Sequence, residues 1–149
     1  MAKAVQKHAP AVDVFVKAAA VAYFRAKEPA SLKIKKQDAD LRLELAPTQD
    51  ILATLGKKRR PDQLLIGFAA ESNNHEAEGR RKLEAKQADL IVVNDILGKR
   101  TGFDAETNQV TLITQDAAEH LPLLSKEETA HCIWNKVVAL GKAKRGETG

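Results

Sequence analysis

The sequence predicts an α/β domain built on a mixed, mostly parallel sheet, and three observations carry that expectation. Three apolar runs, one opening at Val14 and two over 63–70 and 90–94, hold almost no charge, as strands buried on both faces of a parallel sheet do. Charged segments with helical spacing, Asp50–Lys58 and His75–Lys86, fall between them, so strand and helix alternate. The chain then closes on a helix introduced by Ser125 and Glu128, whose spacing is that of a capping box.

Met1–Ala9 reads as the last turns of a helix that Pro10 helps to end. Val14, Phe15 and Val16 open the first strand, whose apolar run continues through Ala18 to Val21. Arg25, Lys27 and Glu28 precede Pro29, which restricts Glu28 and turns the chain into a loop bearing Lys33, Lys35 and Lys36. Leu32 and Ile34, then Leu41, Leu43 and Leu45, alternate with charged residues, the period of strands with one solvated face, with a turn at 37–40 between them. Ile51, Leu52 and Leu55 share one side of the next helix, which the basic run Lys57–Arg60 and Pro61 close.

A loop around Gly98 and Gly102 follows the strand at 90–94. Gln109–Thr114 alternates again and pairs with Glu119–Leu124 across a turn at 116–118. Ala130, Ile133, Val137 and Leu140 line one face of the last helix, which Gly141 ends. The expected organisation is one domain over 1–141 and a disordered basic tail over 142–149.

Hydrophobic residues at 44% and charged residues at 30% place the 149-residue chain among folded globular domains rather than disordered or membrane-spanning ones. A net charge of +4 suits attraction of phosphorylated ligands. Aromatic residues are 4% and no nucleic-acid module is recognisable, which argues against a nucleic-acid partner. Cys132 is the single cysteine, so no intrachain disulfide forms; a reducing compartment, the cytoplasm, is expected, and Cys132 reads as packing beside Ile133. No signal peptide and no apolar run of membrane-spanning length is present. His8, His75, His120 and His131 lack metal-ligand spacing, and there is no Walker A loop, GxGxxG or nucleophile elbow.

Open α/β sheets bind ligands beyond the carboxyl ends of their strands, so the polar groups expected there are the candidates. The loop carrying Lys33 supplies cations, although a solvated lysine is the plainer reading. Lys82 and Lys86 are four apart and share a helical face, either to reach one phosphate chain or as an ordinary charged surface. Phe68 lies in a strand kept narrow by Gly67 and Ala69, as a stacking surface or as core. Asp50 complements a helix dipole, and Asn94 and Asp95 end a buried strand, for ligand or loop contacts.

Several stretches also carry a family resemblance: AAAVAYFR at 18–25, KIKK at 33–36, QDILATLGKKRRP at 49–61, LIGFAAES at 65–72, LIVVND at 90–95, GF at 102–103 and NQVTLI at 108–113. In this order and spacing they resemble the C-terminal part of bacterial phosphopantothenoylcysteine synthetase, an enzyme of coenzyme A biosynthesis often fused to a flavin-dependent decarboxylase. The resemblance runs from about Ala9 to Leu140. It implies a three-layer Rossmann-like or ribokinase-like fold with a protruding β-hairpin as a dimerisation arm. The family's preceding strands, with a glycine-rich loop and a functional asparagine, are expected to be missing here.

The activity it implies is CTP-dependent, with Mg2+: the carboxylate of 4'-phosphopantothenate becomes an acyl-cytidylate, which L-cysteine then converts to an amide. By position, Lys33 corresponds to an essential catalytic lysine that also meets the nucleotide. Tyr23, Gln49, Asp50, Ile51, Leu52, Phe68, Lys82 and Lys86 match nucleotide-binding positions, Phe68 against the cytosine, and Ala19 and Ala20 match the pantothenate site. Two departures stand out. Tyr23 replaces the family's usual Asp in AAVADYR, exchanging a carboxylate for a neutral phenol. Thr48 and Gln49 replace the Asn-Pro that usually precedes Asp-Ile. These departures make a catalytically impaired nucleotide-binding or homodimeric module the alternative expectation.

Overall fold

The computed structural model describes residues 1–33, 42–71, 73–96 and 105–147. In chain order the elements are α1 (Ala2–His8), a 3-10 turn at Ala9–Ala11, β1 (Val14–Lys17), β2 (Phe24–Ala26), β3 (Leu45–Pro47), α2 (Ile51–Lys58), β4 (Leu64–Glu71), α3 (His75–Lys86), β5 (Leu90–Asp95), β6 (Thr107–Asn108), β7 (Val110–Ile113), β8 (Ala118–His120), β9 (Leu124–Ser125) and α4 (Lys126–Lys144). The chain divides into two compact units: Ala19–Asp50, and Met1–Ala18 together with Ile51–Gly149.

The larger unit holds a sheet of order β1-β4-β5-β7-β8. β1, β4 and β5 are parallel, β7 runs against β5, and β8 against β7, so every strand but β7 points one way. Alternation along the strands sorts their side chains into two layers. Leu64, Ile66, Val92 and Leu112 pack with Ile133 and Val137 of α4. On the opposite face a Cβ added to Gly67 would meet Leu52 of α2, and one added to Gly79 of α3 would meet Val93 and Ile113, so α2 and α3 cover that side. The three-layer α/β architecture with a mixed, mostly parallel sheet is as expected.

Several boundaries differ. β1 stops at Lys17, where its register with β4 ends at Gly67, and the alanines beyond it offer little surface to bury. It is not buried on both faces either: at the sheet's end, Val16 stays 48% exposed. β7 is buried along its whole length rather than alternating, because α4 covers the face of Val110 and Leu112 and α3 the face of Ile113. The capping box is present, with the Ser125 Oγ accepting from the Glu128 N–H and the Glu128 carboxylate accepting from the Ser125 N–H. The helix it starts runs past Gly141 to Lys144, so 142–144 are not tail. Gly141 is buried under Leu64, and Gly146, with φ of 71°, is the terminator, its N–H reaching the Ala143 carbonyl. Cys132 packs against the α4 core, as read.

In the smaller unit the stretch read as loop is a strand. β2 pairs antiparallel with β3, Phe24 opposite Pro47 and Ala26 opposite Leu45. The ladder is extended by Thr48 N–H to the Tyr23 carbonyl (2.8 Å) and Lys27 N–H to the Glu44 carbonyl (2.9 Å). Leu32 and Leu43, expected in strands, lie in irregular, exposed backbone; Ile34, Leu41 and the turn at 37–40 lie outside the described residues.

One carboxylate joins the amino ends of the parallel strands to three helices. Asp89, just before β5, accepts from Arg59 past the end of α2, from the Leu65 N–H (2.7 Å) and from Lys144 Nζ (3.0 Å) at the end of α4. Arg59 also donates to the carbonyl of Gln87, the left-handed cap of α3 (2.8 Å), and Lys144 to that of Gln63 (2.8 Å). Burial pushes the Asp89 carboxyl up, but the Arg59 guanidinium, the Leu65 N–H and Lys144 outweigh it, and the group titrates below the usual aspartate range. Its contribution is therefore complete above the unfolded value of about 3.9 and is lost as pH falls through the lower folded value. Asp89→Asn is expected to cost about 2–4 kcal/mol in urea unfolding at pH 7, because two cations lose their partner. The gap between variant and parent should narrow only below about pH 4.

Candidate functional site

The carboxyl ends of β4 and β5 gather the polar groups expected of a ligand edge. Phe68 lies in the second half of β4 on the α4 face, opposite Val92 in register, and is 39% exposed. Its aromatic face is therefore partly uncovered, contrary to a pure core role. Three residues on, Glu71 ends the strand and meets the ammonium of Lys82, reaching back from α3; both side chains are largely buried. Phe68 and Lys82 thus share a sheet edge but lie on opposite faces. Lys86, half-buried, is one turn further along α3, and its carbonyl sits against Gly56 of α2.

Ile51 and Leu52 are buried at the start of α2, Leu52 reaching Gly67, so their side chains serve the core and only backbone is left to a ligand. Gln49 and Asp50 precede them in the smaller unit and are exposed. Ala19, Ala20, Tyr23 and Lys33 belong to that unit too, all exposed, Tyr23 at 79%. The expected residues are therefore divided: Phe68 and Lys82 toward the carboxyl edge of the sheet, Lys86 at the far end of α3 beside Gln87, and Ala19, Ala20, Tyr23, Lys33, Gln49 and Asp50 in the smaller unit.

Sequence reasoning passed over Glu71 and weighed His75 only as a metal ligand. The His75 Nε2 lies 3.1 Å from the Glu71 carbonyl and 3.9 Å from Asp95 Oδ1. His75 and Asp95 line a cavity of about 80 Å3 with Gln109, Thr111 and His120, the Thr111 Oγ1 and His120 Nδ1 being 2.9 Å apart. A signal existed: a charged residue ending an otherwise apolar strand run. Asn94 leaves its Oδ1 buried and without a hydrogen-bond partner among the described residues. A roomier cavity of about 350 Å3, between Pro10, Phe15, Leu55 and Lys58, lies at the amino end of the sheet, and none of the expected site residues lines it. Convergent charge and an uncovered aromatic make the carboxyl edge the candidate site.

A three-layer α/β domain with helices on both faces of a mostly parallel sheet is of the doubly wound class. Within that class the chain belongs to the DNA/pantothenate metabolism flavoprotein C-terminal domain family, whose model matches residues 1–140. It is 43% identical over 143 residues, 95% of its length, to the coenzyme A biosynthesis bifunctional protein CoaBC of Bacillus subtilis, of which it spans 35%. It superposes on the crystal structure of the C-terminal domain of a coenzyme A biosynthesis bifunctional protein CoaBC with a TM-score of 0.73 and 38% identity, over 93% of this chain and 60% of that one. A complex of a Cab2 H337A mutant with phosphopantothenate-cysteine shares the fold, with a TM-score of 0.56 and 14% identity over 74% of this chain and 35% of that one.

The seating of Lys86 can be checked. A methyl group at Gly56 would collide with the Lys86 carbonyl oxygen, which is backbone and cannot rotate away. Gly56→Ala should lower stability in urea by about 1–3 kcal/mol through overpacking.

Proposed function

We propose that the chain is the nucleotide-binding and dimerising part of a CTP-dependent phosphopantothenate–cysteine ligase acting in coenzyme A biosynthesis. Family membership together with the uncovered Phe68 ring at the carboxyl edge is the observation that carries this reading. A 4'-phosphopantothenate carboxylate oxygen attacks the α-phosphorus of CTP and pyrophosphate leaves. The amine of L-cysteine then attacks the acyl carbon, the amide C–N bond forms, CMP departs and a proton is released. Charge grows on non-bridging oxygens in both steps, which is why cations are needed there.

In this reading Phe68 stacks on the cytosine, while Lys82 and Lys86 neutralise the phosphates. Lys33 stabilises the reacting carboxylate and phosphate, the backbone of Gln49, Asp50, Ile51 and Leu52 receives the nucleotide, and Ala19 and Ala20 leave room for pantothenate. Among the described residues no three acidic, histidine or cysteine side chains cluster to hold a metal. Mg2+ would accordingly travel on the triphosphate, where it supplies charge neutralisation. Leu43, Leu45 and Phe24 leave apolar surface on the smaller unit, in keeping with a homodimerisation arm. A flavin-dependent phosphopantothenoylcysteine decarboxylase domain is the expected companion. No described helix is long and apolar enough to cross a membrane, and a cytoplasmic setting follows from the pathway.

Tyr23 favours a second reading. Its exposed phenol stands where the family usually has a carboxylate, in keeping with a module that binds nucleotide or pairs with itself without completing the reaction.

Calorimetric titration with CTP and Mg2+ should give saturable binding that Phe68→Ala weakens about tenfold, the worth of one stacked base; no heat at millimolar CTP would defeat the ligand assignment. In a chain carrying the whole family domain, Lys33→Gln should abolish pyrophosphate release while leaving the unfolding midpoint unchanged. Binding without pyrophosphate release in the Lys33 parent would favour the second reading.

A further inference from the structure

Lys82 is already engaged. Its side chain is 24% exposed and donates to the carboxylate of Glu71, itself 18% exposed. The fold fixes where that carboxylate stands. Glu71 is the last residue of β4, and its carbonyl accepts the Ile96 N–H (3.3 Å) and lies 3.1 Å from His75 Nε2. In register it faces Asp95 of β5, so two carboxylates end adjacent strands on the α3 side, with His75 beside them. An ammonium this withdrawn from water needs an anion, and here the protein supplies one.

We propose that Glu71 is a resident counter-ion, holding Lys82 in place and occupying the position on its ammonium that a ligand phosphate takes, so that the pair opens when phosphate binds. This rests on the reading of Lys82 as a phosphate-binding residue and adds Glu71 as its positioning partner. A pyrophosphate group carries more charge and more acceptor oxygens than a carboxylate, so it competes for the same donor. Its charge also repels Glu71, already next to Asp95, which favours release of the carboxylate once phosphate arrives. Affinity is then set by the difference between two ion pairs, and a singly charged carboxylate ligand gains little from the exchange.

The test is a double-mutant cycle of Glu71→Gln and Lys82→Met in urea unfolding, with and without sodium pyrophosphate at matched ionic strength, alongside calorimetry with pyrophosphate. Coupling between the two positions should be present without pyrophosphate and vanish at saturation. Glu71→Gln should bind pyrophosphate about fivefold tighter than the parent, the worth of one such ion pair, and Lys82→Met should erase that gain. Coupling that pyrophosphate leaves unchanged, an equal or weaker affinity in Glu71→Gln, or a gain that survives in Lys82→Met would each overturn the proposal. If Glu71→Gln does not fold, Glu71→Asp, which shortens the reach to Lys82, gives the same readouts. Pyrophosphate opening the pair while CTP produces no heat would uphold this proposal and defeat the nucleotide reading alone.

Discussion

The Asp89 carboxylate is the constraint on which the larger unit depends. It binds the start of β4, the loop after α2 and the end of α4, while Arg59 carries the connection on to the cap of α3. Each contact is short in reach and long in sequence, so no one of these elements can shift without disturbing the others. The Gln63 side chain extends the same junction to the amino terminus, donating to the carbonyls of Ala9 (2.8 Å) and Val12 (2.5 Å) and accepting the Arg60 N–H (2.8 Å). Charge is buried here because it is shared among several partners.

Anchoring the amino ends leaves the carboxyl ends to a different task. Phe68 is left part-exposed on β4, and β4 and β5 close on Glu71 and Asp95 rather than on further apolar residues. The Lys82–Glu71 pair spans from helix to strand there, so one charged contact holds a side chain that the reaction is proposed to use. The rigid end fixes the height of α3 against α2 through Gly56, and with it the position of Lys82 and Lys86 along the sheet.

The fold was legible wherever burial was two-sided. β4 and β5 have uninterrupted apolar runs, α3 is a polar stretch between them and α4 opens on a capping box, so the sequence located them. Edges and ends were not legible, because a neighbour decides them. β1 looks like an interior strand yet stops at Lys17 and leaves Val16 in water; β2 hides behind charged residues because both its faces are largely solvated. Gly141 imitates a terminator but lies inside the helix, buried beside Leu64, while the left-handed Gly146 ends it. In the site, Phe68 and Lys82 could be singled out as residues, but not the partner of Lys82: Glu71 is eleven residues away and meets it only once strand and helix are antiparallel.

The central claim is that the carboxyl edge of β4 and β5, rather than the roomier cavity at the amino end, receives the phosphates and base of a nucleotide. Backbone amide chemical shifts followed during titration with CTP and Mg2+ test it most directly. Perturbations concentrated at Phe68, Glu71, Lys82 and Asp95 are the predicted result. Shifts confined to Phe15, Leu55, Lys58 and Gln63, or none in either place, would contradict it.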